Sequence, residues 1–168
     1  TRDLAKTFPR ARYEAAYEQR SPIGLSILYV YSAGQGKVRH ESTMPHSTTV
    51  SVTIYDFPKK KRYYLQERQK TYLTSDLSQQ GLEEFDEEMF KSRDSEDLGK
   101  KTIKGMLCRG YRTFLNGDKN SQVESWFNDR TGCLVASTTP NRKSSTILTR
   151  YISRQPKETL FTIPPGYK

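Results

Sequence analysis

Few residues of this 168-residue chain stand at spacings that could do chemistry. The two histidines, His40 and His46, lie six positions apart across Pro45, and Glu41 would leave a strand on the face opposite His40. No third ligand stands at metal-binding spacing, so the pattern predicts neither a metal nor a cofactor. Serine and threonine are abundant, yet no Gly-x-Ser-x-Gly elbow or Ser-x-x-Lys motif marks a nucleophile. The carboxylates between Glu83 and Glu88 are spread around a helical repeat, without the opposed, environment-tuned pair that acid/base catalysis needs. No catalytic residue is expected, and an enzyme working through cavity shape alone stays a remote alternative.

Cys108 and Cys133 are the only cysteines. With Phe114 paired to Gln122, Cys108 faces Asn128 and Cys133 lies one strand further on, near twice the strand spacing of about 4.8 Å. A disulfide requires Cα atoms within about 6.8 Å. A bulge or curled turn would close that gap and make Cys108 and Cys133 a disulfide; two free buried thiols are the alternative.

Charge is uneven. Residues 83–97 hold eight acidic and two basic side chains, net −6, so the rest carries +15 of the overall +9. A surface this basic attracts anionic lipid headgroups or acidic polymers at least nonspecifically. The run Lys59, Lys60, Lys61, Arg62 reads either as a polyanion-binding finger or as a hairpin tip that keeps its strands soluble. No Gly-rich phosphate loop, RNA-binding aromatic signature or zinc-finger spacing supports specific nucleic-acid recognition.

The elements that must position these residues are mostly strands. The length suits one domain over 1–168, with a flexible segment at 1–10 and an acidic connection at 92–99. Eleven Tyr and seven Phe against 33% apolar residues and a mean hydropathy of −0.85 suit strands with one face on a core and one near water. We therefore expect an open single sheet. Strand-like runs occupy 11–19 (Tyr13, Ala15 and Tyr17 on one face), 24–32, 37–43, 49–57, 62–67 and 70–74. A second set occupies 105–115, 121–128, 133–138 and 144–154, with turn residues between them. Opposing Arg112 to Glu124 favours the register of its hairpin by about 0.2–1 kcal/mol. Between the two sets, 76–91 has the 3.6-residue pattern of a helix. Asp76 stands as its cap, Gln79 in the capping-box position, and Leu82, Phe85 and Met89 on one stripe.

With these elements placed, the layout resembles the bacterial lipoprotein-carrier superfamily of LolA and LolB, and more closely the uncharacterised secreted bacterial domains related to it. The residues that carry the likeness are Gly36-Lys37-Val38-Arg39-His40-Glu41 and Lys70-Thr71-Tyr72. They continue with Ile103-Lys104-Gly105-Met106-Leu107-Cys108-Arg109-Gly110-Tyr111, Glu124-Ser125-Trp126-Phe127 and the closing Leu160-Phe161-Thr162-Ile163-Pro164-Pro165-Gly166-Tyr167. The carriers' long N-terminal helix is expected to be missing or reduced, since residues 1–10 are too short for it and are interrupted by Pro9.

The resemblance implies a strongly curved antiparallel half-barrel of about ten strands, covered by the helix at 76–91. It implies an extracytoplasmic monomer, in periplasm or envelope, whose signal peptide has been removed. Its concave face would bind a lipid, an acyl chain or a lipoprotein. Leu28, Val30, Val50, Val52 and Ile54 would line the site, and Leu82, Phe85 and Met89 would form its lid. An anionic membrane surface or an envelope protein would be the further partner. A cell-envelope structural or interaction module with a filled core and no ligand is the alternative.

Overall fold

The computed structural model describes residues 8–78, 86–90, 95–114, 118 and 120–168, and of residues 88 and 89 the backbone alone. Eleven strands follow one another: β1 Arg12–Ser21, β2 Gly24–Ala33, β3 Lys37–Thr43, β4 Val50–Asp56, β5 Lys61–Gln66, β6 Thr71–Asp76, β7 Glu96–Ile103, β8 Met106–Phe114, β9 Gln122–Asn128, β10 Leu134–Thr139 and β11 Ser144–Ile152. They form one antiparallel sheet in the order β6-β5-β4-β3-β2-β1-β11-β10-β9-β8-β7. Two meanders thus meet at a single seam, where β1 pairs with β11. The sheet is open, with β6 and β7 as its edges.

Turn chemistry sets the strand ends. Lys60 closes the β4–β5 turn at φ +52°, its amide donating to the Phe57 carbonyl at 3.0 Å, so the basic run is a hairpin tip. The β8–β9 hairpin pairs Phe114 with Gln122 and Arg112 with Glu124, as the sequence predicts, and the guanidinium meets that carboxylate at 2.8 Å.

Side-chain direction follows from pairing, since residues directly opposite one another share a face. Val30 pairs with Ala15 and with His40, and His40 pairs with Thr53. This inner face carries the main core, which includes Tyr13, Tyr17, Leu28, Val30, Tyr55, Phe57, Phe127 and Leu148. The sheet curls over it: the Tyr17 hydroxyl on β1 reaches past β11 and donates to the Leu134 carbonyl on β10 at 3.0 Å. On the outer face Val52, Ile54 and Leu65 form a second cluster, covered by Ile163 and Tyr167 of the C-terminal segment. That segment crosses β2 and β3 through a 3-10 turn, Glu158–Phe161, where Arg39 donates to the Leu160 carbonyl at 3.1 Å. It ends beside β6, with the Lys168 amide donating to the Lys70 carbonyl and the Tyr72 amide to the Lys168 carbonyl.

Two expectations need correction, and of the two alternatives for the cysteines the structure has the free thiols. The covering helix predicted over 76–91 is not formed as such. Asp76 ends β6 opposite Lys61, with 2.5 Å between their charged atoms, and the Leu77 amide continues the hairpin by donating to the Lys60 carbonyl. The capping residue is therefore spent on a strand. A single helical turn, α1 Glu87–Phe90, remains among the described residues, while Leu82 and Phe85 lie outside them. The acidic connection at 92–99 is in its second half the start of β7, which forms because β8 offers it a ladder. Cys108 and Cys133 are free and buried, since β9 stands between their strands and no curl closes the gap.

Candidate functional site

The predicted site residues do not share one surface. Leu28 and Val30 lie in the inner core, whereas Val52 and Ile54 emerge on the outer face, because Val52 pairs with Glu41 and Glu41 with Tyr29. Val50 pairs with Thr43 at the sheet's end and is exposed. Leu82 and Phe85 fall outside the described residues, and so does the side chain of Met89. The cover over Val52 and Ile54 is the C-terminal segment rather than a helix.

What the fold brings together instead is an aromatic and polar cluster on the inner face. Alternation on β1 places Tyr13 and Tyr17 inward, both fully buried. Tyr13 stacks on Tyr151 of β11 with ring centroids 5.4 Å apart. Tyr17 meets Cys133 Sγ at 3.2 Å. Phe90 of α1 wedges between Tyr111 and Phe127, at 5.6 and 5.3 Å, and the Tyr111 hydroxyl donates to Glu87 Oε1 at 2.5 Å. This helical turn is anchored by an isolated bridge from Asp86 to Cys133 and by the Glu87 amide donating to the Gly132 carbonyl at 2.7 Å.

The electrostatics of the cluster oppose reactivity. Burial pushes the Cys133 thiol up to about 12, with a smaller contribution from Asp86 in the same direction. A thiol held protonated is a poor nucleophile and a poor ligand. Burial, with Cys133 beside them, also holds the Tyr13 and Tyr17 hydroxyls well above the ordinary phenol range. His40 is buried against the Tyr55 ring at 4.9 Å, while His46 sits in a turn at φ +58°. Among the described residues no three His, Cys, Asp or Glu side chains gather where they could hold a metal ion.

Cavities border the described residues in at least three places. One, of about 420 Å³, lies between the β2–β3 turn and the C-terminal segment and is lined by Arg12, Lys37 and Glu158 beside Phe161. A second of about 340 Å³ separates the β7–β8 and β9–β10 turns, and a third of about 70 Å³ is an outer-face dimple at Tyr29 and Tyr31. All three mix polar and apolar walls, and none touches Leu28, Val30, Val50, Val52 or Ile54.

Sequence reasoning identified Tyr13, Ala15 and Tyr17 as one face but missed the meeting of Tyr17 with Cys133 and Tyr13 with Tyr151. Those contacts cross the β1–β11 seam, which joins residues about 130 positions apart. The docking of the C-terminal segment was also missed; its signal, Ile163 and Tyr167 around a Pro-Pro-Gly turn, was visible only as a motif.

Among solved structures, the fold is similar to that of an uncharacterized conserved protein from Thermus thermophilus. That match has a TM-score of 0.67 at 13% identity, over 98% of this chain and 91% of that one. It is also similar to MucB in the MucA/MucB complex of Pseudomonas aeruginosa, with a TM-score of 0.57 at 14% identity over 95% of this chain. The match covers 58% of that protein's length. The structural neighbours include a LolA superfamily protein from Nitrosomonas europaea, with a TM-score of 0.45 and 12% identity over 95% of this chain and 94% of that one. No curated protein matches the chain. The family described as domain of unknown function (DUF4412) matches residues 21–136, and the chain belongs to it.

Proposed function

We propose that this chain is a non-enzymatic, extracytoplasmic interaction module that engages a protein partner of the cell envelope through its surface, with its inner face filled by its own side chains. The observation that carries this reading is the packing of that face. Tyr13, Tyr17, Phe57, Val30 and Phe127 have at most 1% of their surface exposed, and Phe90 closes over Phe127. A drug-sized or acyl ligand needs roughly 300–1,000 Å³ of mostly apolar cavity, and the burial of these side chains supports an inner face filled by the chain itself. The fold shared with MucB, whose structure is recorded in complex with MucA, is in keeping with a protein partner. The buried, protonated thiols favour a non-enzymatic role.

Native mass spectrometry of gently purified protein, with titration of a fluorescent acyl probe, tests the reading. The expected result is a bare chain mass and no saturable probe binding. Stoichiometric co-purifying lipid with saturable binding would replace it with lipid or lipoprotein carriage.

A further inference from the structure

The two edges of the sheet are built differently. β7 is guarded: Glu96, Asp97, Lys100 and Lys101 line it, and its ladder with β8 shifts register between Asp97 and Gly99. Charges and bulges of this kind stop one sheet from adding to another. β6 has neither device. Its six residues, Thr71–Asp76, pair with β5 in unbroken register, and its single charge, Asp76, is tied to Lys61. Four of the six are exposed, among them Leu73 with 59% of its surface open beside Tyr64, its direct cross-strand partner.

Lys168 already bonds to this edge as one residue of an added strand would. Lys168 donates to the Lys70 carbonyl at 3.0 Å and accepts from the Tyr72 amide at 3.3 Å, the pattern of a parallel bridge opposite Thr71. The Tyr72 backbone therefore points away from β5. Alternation turns the Thr74 and Asp76 backbones the same way, and the Thr74 amide has no hydrogen-bond partner among the described residues.

Charge defines the occupant. The hairpin from Lys59 to Asp76 carries six basic and two acidic side chains. Lys59, Lys60 and Arg62 stand at one end of β6, and Arg68, Lys70 and Lys168 at the other, about 20 Å apart at strand rise. We propose that β6 is the docking edge of this module. It pairs through the Tyr72 carbonyl and the Thr74 and Asp76 backbones with an extended, acidic segment of a partner polypeptide, one of whose apolar side chains packs on Leu73 and Tyr64. Main-chain bonds supply the attraction and side-chain pockets the selectivity in such strand addition. The inference rests on the reading of the chain as a protein-binding module and specifies where that binding occurs.

The test uses the full chain and an eight-residue peptide alternating glutamate and valine, followed by amide NMR. Saturable shifts of the Thr74 and Asp76 amides are expected by about 1 mM peptide, a weak affinity on the usual scale. Thr74→Pro should weaken binding at least tenfold while sparing the β5 ladder, since its amide faces outward. Leu73→Ser, at an exposed site, checks the result should the proline disturb folding, and it should weaken binding too by removing the apolar contact. A lysine–valine peptide should not bind. Shifts confined to other residues, equal binding by both peptides, binding by both variants as strong as that of the unsubstituted chain, or self-association through β6 would overturn the proposal. Lipid found by mass spectrometry would strike the functional reading instead, leaving the edge result to be read separately.

Discussion

A methyl group at Gly110 would sit 2.5 Å from a ring carbon of Trp126. The indole lies flat against that bare backbone, and the Lys101 ammonium stands over the ring at 3.7 Å. Gly110→Ala should therefore cost about 1–3 kcal/mol through overpacking, read as a lower urea midpoint with a shifted Trp126 emission. An unchanged midpoint would show that the ring can slide aside. The buried thiol gives a pH prediction. Cys133 stays protonated in the fold up to about 12, whereas in the unfolded chain it ionises near 8.5. Its contribution to stability is thus complete below about pH 8.5 and is lost as pH rises through the folded value, by up to about 1.4 kcal/mol per pH unit. Tyr13 and Tyr17 shift in the same direction and steepen the decline at higher pH. Urea midpoints should fall between pH 8 and 10.5, and Cys133→Ala should flatten the fall while lowering the starting value.

At the scale of elements, the C-terminal segment seals the outer apolar cluster. Truncation after Phe161 removes Ile163 and Tyr167 from Val52, Ile54 and Leu65. It should cost on the order of 2–5 kcal/mol, raise apolar dye binding, and speed hydrogen exchange at the Tyr72 amide. Ten strands were legible from sequence to within about two residues, because Val, Ile, Tyr and Thr alternate with polar partners and Gly or Lys stands at positive φ in most of the turns described. β7 was not, because Glu-Asp-Leu-Gly-Lys-Lys-Thr-Ile lacks alternation and becomes a strand only by pairing with β8. The candidate site failed for a different reason. Leu28 and Val30 alternate well on β2, and Val52 and Ile54 on β4. Whether the two sets face the same way depends on register through β3, where a one-residue shift inverts every side chain. The 76–91 pattern misled because Asp76 serves a strand end as readily as a helix cap.

For the whole molecule, the seam between the two meanders is the defining feature. β1 and β11 are joined by their ladder, by the Thr149 hydroxyl donating to the Ala16 carbonyl at 3.0 Å, and by Arg154 with Glu14 at 2.6 Å. Fragments 1–90 and 91–168 should each be unfolded alone and should copurify as a folded pair when co-expressed. Failure to copurify would mean that the covalent link, rather than the seam, holds the halves. The C-terminal segment has a mechanical consequence as well. Lys168 grips β6 by two hydrogen bonds at the rim of the sheet, whereas β11 is clamped between β1 and β10. Tension on the C-terminus meets the first contact as a peel and the second as a shear of two ladders, so the tail lets go while the sheet still holds. It should behave as a fuse: a pull on that end is expected to bare Val52, Ile54 and the rim of β6 before any strand of the sheet gives way.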